Sequence, residues 1–362
     1  MSSNDPPHKF KESPLPFKNI MKMSPENAQF PTPPPSPDIP TQPTICFEMT
    51  MSTAWKPKSS RSVLPALCKE DCGEDAYFFA DHESHFTFGI GDGVGGWCFL
   101  GVDASLFAWD LMNCCLESAN TLTVPDPQNI LIEAYQNVLG AKRVLAGKIY
   151  MYILITLFSY IIGIFFNSLT IFFFLDFKFF SLLLGSSTAC IVTLDKSSGA
   201  LSSSNLGDSG FIIIRKKEVI YQTREKQHFF NAPYQLSILP EKMKNDATSI
   251  MDSPEDAIVD QTYVQAGDVV VLATDGLFDN MFLDEIVDIV SEHLGDELES
   301  ISNNMEWENS SDLEERVKIT ANALMSQAHI FSLDGKRMSP FAKSAREHGR
   351  HYLGGYVFFL TT

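Results

Sequence analysis

Two apolar runs of this 362-residue chain end in the same chemical phrase. His85-Phe86-Thr87-Phe88-Gly89-Ile90 leads into Gly91-Asp92-Gly93-Val94-Gly95-Gly96-Trp97, and Val269-Val270-Val271-Leu272-Ala273 leads into Thr274-Asp275-Gly276-Leu277-Phe278-Asp279-Asn280. Each sets a carboxylate where a strand leaves the core, followed by a glycine that lets backbone come close to a ligand. Gly73-Glu74-Asp75-Ala76 makes a third acidic step at the start of the strand beside the first. Carboxylates meeting at one rim repel one another unless something positive lies between them. Hard divalent cations answer that need, since Mg²⁺ and Mn²⁺ take oxygen ligands and keep several waters.

The elements that must deliver these groups alternate between short strands and helices. Period-two patterns and turn residues predict strands at Ala76–Ala80, His85–Ile90, Thr188–Leu194, Leu201–Ser204, Phe211–Ile214, Glu218–Gln222 and Val269–Ala273. Helical spacing predicts helices at Ala104–Ala119, Asn129–Leu145, Asp284–Leu294 and Asp312–His329. An α+β fold follows: a four-layer α/β/β/α sandwich of two antiparallel sheets covered by helices.

Composition sets further bounds. With 27 Lys+Arg against 45 Asp+Glu the formal charge is −18, which excludes a general nucleic-acid binder, because phosphate attraction needs a basic stripe. Cys46, Cys68, Cys72, Cys98, Cys114, Cys115 and Cys190 form no C-x-x-C pair, and no clustered His completes a zinc site, so they read as reduced thiols.

Residues 1–60 are rich in Pro, Ser, Thr and Asn and lack hydrophobic periodicity, so they are expected to be disordered. The stretch Pro31-Thr32-Pro33-Pro34-Pro35-Ser36-Pro37 has the spacing of a polyproline II ligand for a Pro-rich-motif reader, or of a plain linker. No Arg precedes Arg61, so a standard mitochondrial presequence is not supported.

The second domain, 61–362, is interrupted at 148–181 by an apolar insert. Its run Ile149–Leu175 carries no charge and is long enough to span a bilayer. A span there would put the two halves of one domain on opposite sides of a membrane. The bias toward Phe, Ile, Tyr, Leu and Asn also matches what A/T-rich DNA encodes by accident, so the run reads as a retained intron or a membrane segment. Transcript sequence across Lys148–Ser181 separates the two.

Other motifs yield rival readings. Gly91-Asp92-Gly93-Val94-Gly95-Gly96 satisfies G-x-G-x-x-G, yet Asp92 would face a pyrophosphate with negative charge. Gly207-Asp208-Ser209-Gly210 resembles a serine-protease nucleophile loop but has no matching His, so it is expected to be a hairpin turn with a structural Asp.

In order along the chain, Glu74-Asp75, Asp92-Gly93 within DGVGGW, Gly185-Ser186-Ser187-Thr188-Ala189, Gly207-Asp208-Ser209 and Asp275-Gly276 within ATDGLFDN resemble the protein phosphatase 2C (PPM) family of metal-dependent serine/threonine phosphatases. SSTACIVTLD, NLGDSGF, QHFFNAPYQLS and MSPFA are similar to its mitochondrial branch linked to coenzyme Q biosynthesis.

The resemblance implies two Mg²⁺ or Mn²⁺ ions bridged by Asp92, with the Gly93 carbonyl on one and Asp275 on the other. Glu74 and Asp75 would act mostly through water. A hydroxide shared by the ions would attack phosphorus in phosphorylated protein substrates, with Asp92 and Asp275 as the catalytic carboxylates. The resemblance also implies a mitochondrial location, with the cytoplasm as the alternative and a membrane if the apolar run is real.

The chain departs from the family pattern at several positions. Glu70 stands where many members have a phosphate-gripping Arg, and Val94 where many have a general-acid His, leaving water or His228 to protonate the leaving group. After Gly354-Gly355 the chain reads Tyr356-Val357-Phe358-Phe359 where the pattern has Lys-x-Asp-Asp, so the last metal-binding Asp is expected to be missing. Weak metal binding on the Asp275 side and slow or absent turnover follow. The alternative function is a catalytically impaired phosphatase-fold binding protein.

Overall fold

The structure is a computed structural model that describes residues 47–57, 62–140, 184–239, 243–244, 249–302, 310–356 and 360–361. The Pro-rich stretch before residue 47 and the apolar run at 149–175 lie outside the described residues, as does the end of the helix expected to reach Leu145. Among the described residues no helix is long and apolar enough to cross a membrane.

The strands, in chain order, are β1 (Trp55–Lys56), β2 (Ala76–Asp81), β3 (His85–Gly91), β4 (Gly185–Ser187), β5 (Ala189–Asp195), β6 (Ala200–Leu206), β7 (Gly210–Arg215), β8 (Glu218–Gln222), β9 (Gln227–Phe229), β10 (Ala232–Pro233), β11 (Leu236–Ile238), β12 (Ile258–Tyr263), β13 (Val269–Ala273) and β14 (Leu360–Thr361). The helices are α1 (Ala104–Thr121), α2 (Pro127–Gly140), α3 (Asp275–Phe278), α4 (Leu283–Ser302), α5 (Ser310–Ser332) and α6 (Pro340–Glu347).

Two antiparallel sheets dominate: a five-stranded one in the order β12-β6-β5-β3-β2 and a three-stranded one in the order β13-β7-β8. Alternation along the strands explains their stacking. In β3 and β5, Phe86, Phe88, Ile90, Cys190, Val192 and Leu194 face a shared interior with Phe211 and Ile213 of β7. Their neighbours turn the other way: Ala189 and Ile191 pack with Phe107, Leu111 and Ile130 of α1 and α2. On the far side, Ile212, Ile214, Val271 and Ala273 pack against Ile286 and Val290 of α4 and Leu324 of α5. The expected four layers are therefore present.

Local sequence explains the helix facing the larger sheet. Asp103 caps α1 by accepting from the Ser105 backbone N–H at 3.1 Å, and Trp109 in its middle is wholly buried against Tyr77, ring centres 5.7 Å apart. Removing a side chain of that size costs about 3–5 kcal/mol.

Residues 47–57 depart from the expectation of disorder. The Phe47 N–H donates to Lys196 O at 2.7 Å, Ala54 is buried, and Trp55 pairs with Thr361. Apolar residues spaced too irregularly to read as an element still find places on the sandwich. The strand β12 and the helix α6 also went unread. The first is an edge strand whose side chains are never fully buried, and the second is only eight residues long.

Candidate functional site

Antiparallel register carries the acidic residues to one end of the sandwich. Ala76 of β2 pairs with Gly91 of β3, so Glu74 and Asp75, just before β2, lie beside Asp92, just after β3. Ala189 of β5 pairs with Leu206 of β6, which brings Asp208 to the same end. In the smaller sheet Ala273 of β13 pairs with Gly210 of β7, so Asp275 follows its strand there too. Groups far apart in sequence are thus delivered to one rim by strand pairing alone.

Hydrogen bonds then fix the loops. Thr188 holds the main chain of Asp92 on both sides, its Oγ1 accepting from Asp92 N at 3.1 Å and its N–H donating to Asp92 O at 3.0 Å. The same hydroxyl shares a 2.8 Å hydrogen bond with Ser209, beside Asp208. Thr274 donates from Oγ1 to Asp75 Oδ2 at 3.3 Å, which ties the end of β13 in one sheet to the start of β2 in the other. The Gly93 N–H donates to Glu74 O at 3.2 Å. A Cβ at Gly93 would lie 2.5 Å from Glu74 O and 2.8 Å from Ala104 O, so only glycine admits this approach.

The electrostatics follow from the crowding. Burial raises Asp92 well above the usual carboxylate range, and Asp75, Asp208 and Glu74 push it further, while a hydrogen bond with Asp275 works the other way. Burial, then Glu225, pushes Asp208 up to about 7. Asp279 is raised by burial and by Asp275, Asp208 and Glu225. Every charged group acting on these carboxyls is itself acidic, which is the situation divalent cations relieve. Glu74, Asp75, Asp92, Asp275 and the Gly93 backbone, the residues singled out from sequence, therefore lie at one rim and suit hard cations. Among the described residues no three His, Cys, Asp or Glu side chains gather closely enough to hold one ion between them. Each ion would accordingly need backbone oxygen or water besides carboxylate.

Sequence reasoning missed three acidic members of the rim. The Gly207–Gly210 segment is not a hairpin turn: it carries the chain from β6 in the larger sheet to β7 in the smaller, and this crossing points Asp208 at the rim. Its signal was available, because it repeats the pattern of a strand end followed by an acid beside glycine. Asp279 and Glu225 enter through the turn after α3 and the stretch between β8 and β9, and nothing local marks them. His228 is held by the Asp252 carboxylate at 3.0 Å and stacked on Tyr234 with ring centres 4.0 Å apart.

Over 285 residues the chain is 36% identical to the protein phosphatase PTC7 homolog of Danio rerio, spanning 78% of this chain and 77% of that protein. The chain belongs to the protein phosphatase 2C family of serine/threonine phosphatases. The human PTC7 homolog is likewise 36% identical over 285 residues, covering 78% of this chain and 75% of its own length. Among solved structures, that of the photosystem II phosphatase PBCP superposes with a TM-score of 0.57 at 25% identity, covering 86% of this chain and 95% of that one. No family profile matches the chain.

Proposed function

We propose that this chain hydrolyses phosphate monoesters on serine and threonine side chains of proteins, using two Mg²⁺ or Mn²⁺ ions held at the rim. Asp92, the Gly93 carbonyl and Asp275 would hold them, with Glu74 and Asp75 acting through water. The observation that carries this reading is the convergence of Asp75, Asp92, Asp208 and Asp275 from separate strands, with only acidic neighbours acting on one another. When bound, the cations would acidify coordinated water and neutralise charge on the phosphoryl oxygens.

The chain's own residues position that chemistry. Thr188 fixes the Asp92 loop, and Thr274 holds the buried Asp75 across the two sheets. The Val94 side chain offers no proton and His228 is engaged by Asp252, so the leaving oxygen takes its proton from water. Phosphoprotein substrates follow from the family. Similarity to its mitochondrial branch makes the mitochondrion the proposed compartment, to be tested by cell fractionation.

A second reading is favoured by the sequence after Gly354-Gly355, where Tyr356-Val357-Phe358-Phe359 stands in place of the Lys-x-Asp-Asp that carries the family's last metal-binding Asp. On it, the fold binds phosphoproteins and turns them over slowly or not at all. Turnover of p-nitrophenyl phosphate by the purified chain with Mn²⁺, beside Asp92→Asn, decides. A metal-dependent rate abolished in Asp92→Asn supports the phosphatase; failure of both to bind Mn²⁺ while both bind a phosphoprotein supports the second reading.

A further inference from the structure

In a chain of formal charge −18, Lys343, Arg346 and Arg350 are exposed and form no ion pair among the described residues. They lie on α6 and just beyond it, and α6 is docked on the acidic rim. The Phe341 N–H in its first turn donates to Asp279 O at 3.1 Å, and the Phe341 ring stacks on Tyr356 with centres 3.6 Å apart. A second route leads to the same place. The Tyr356 hydroxyl accepts from Asn231 Nδ2 at 2.9 Å, and the adjacent Phe230 has the Arg350 guanidinium 5.4 Å from its ring centre and the His348 ring at 5.0 Å.

We propose that Arg346 and Arg350, with Lys343 beside them and Phe230 and His348 as an aromatic shelf, bind acidic side chains that flank the phosphorylated residue of a protein substrate. The proposal rests on the phosphatase reading for the entry of the phosphate into the rim. An acidic segment approaching this molecule is repelled by its net charge and by the rim carboxylates, so it needs a cationic anchor close by. Guanidinium forks suit carboxylates, and an aromatic face beside one limits its wandering.

The test is fluorescence anisotropy on the full chain without metal, using a phosphoserine peptide flanked by aspartates and the same peptide flanked by glutamines. Arg346→Glu with Arg350→Glu is expected to weaken binding of the acidic peptide by about tenfold or more. The glutamine peptide should be little affected and the thermal midpoint unchanged. Arg346→Gln with Arg350→Gln should fall between. Lys56→Glu with Lys318→Glu, an equal charge change elsewhere, should leave the affinity alone.

Equal affinity in wild type and Arg346→Glu/Arg350→Glu would overturn the proposal. So would an equal loss in Lys56→Glu/Lys318→Glu, or binding of phosphatidylserine vesicles in place of peptide. Wild type that binds the acidic peptide without hydrolysing it in Mn²⁺ sinks the phosphatase reading and leaves this surface standing. Hydrolysis with a KM insensitive to Arg346→Glu/Arg350→Glu does the reverse.

Discussion

Asn280 grips the backbone of Tyr356 from both sides, its Oδ1 accepting from Tyr356 N at 2.7 Å and its Nδ2 donating to Tyr356 O at 2.8 Å. The same amide donates to Gly276 O at 2.9 Å, so one buried side chain joins the segment after Gly354-Gly355 to the short helix α3 that begins at Asp275. Asn280→Ala removes all three of these hydrogen bonds to backbone. We expect a loss of about 2–3 kcal/mol of stability, read from the urea midpoint. A change within measurement error would show that the Tyr356 segment docks without this clamp.

Gly93→Ala tests the close approach of two loops. Both atoms nearest the added methyl are backbone oxygens, so no side chain can swing aside to admit it. A stability loss of about 1–3 kcal/mol is expected, together with weakened Mn²⁺ binding measured by calorimetry. Wild-type values for both quantities would contradict the geometry.

Asp92→Asn removes the carboxylate on which Asp75, Asp208, Asp275 and Glu74 all act. On the proposed function it lowers kcat with p-nitrophenyl phosphate by at least about 100-fold, comparable to losing one main electrostatic group in an active site. It should also abolish the Mn²⁺-induced rise in melting temperature. A variant that keeps both would remove Asp92 from the metal-binding role.

The raised carboxyls set a pH dependence whose sign is determined. Asp208 titrates at about 7 in the folded chain against an ordinary 3.8, and Asp92 and Asp279 are also raised. Above the ordinary carboxylate range the unfolded chain releases these protons while the folded chain keeps them. The folded state then binds more protons, so metal-free stability falls as pH rises from about 4 towards 7. Urea midpoints in EDTA at pH 5 and pH 7.5 check this, with Asp208→Asn expected to flatten the slope. Mn²⁺ should restore stability at the upper end, because it binds only the folded state. A midpoint that climbs with pH would be the wrong sign.

Much of this architecture was legible because its central strands carry β-branched and aromatic residues in sharp runs, and β3 and β5 bury both faces. His85–Gly91 and Val269–Ala273 stand within a residue of their expected bounds for that reason. Glu74, Asp75, Asp92 and Asp275 were legible as strand-end acids. Asp208 was misread because a Gly-Asp-Ser-Gly turn looks the same whether it closes a hairpin or crosses between sheets; only the pairing of β7 with β13 distinguishes them. Asp279 and Glu225 were invisible for a related reason: their closeness to the rim is a product of tertiary packing, on which spacing is silent. Thr188 and Thr274 look like ordinary strand threonines until their partners are known.

Asp92 follows a strand of the larger sheet and Asp275 follows a strand of the smaller one. Anything that both carboxylates grasp together becomes a rivet through the two halves of the sandwich. Amide protons of β3 and β13 would then exchange with deuterium more slowly in concert, and a spectrum of the backbone would report loading of the rim before any product was formed.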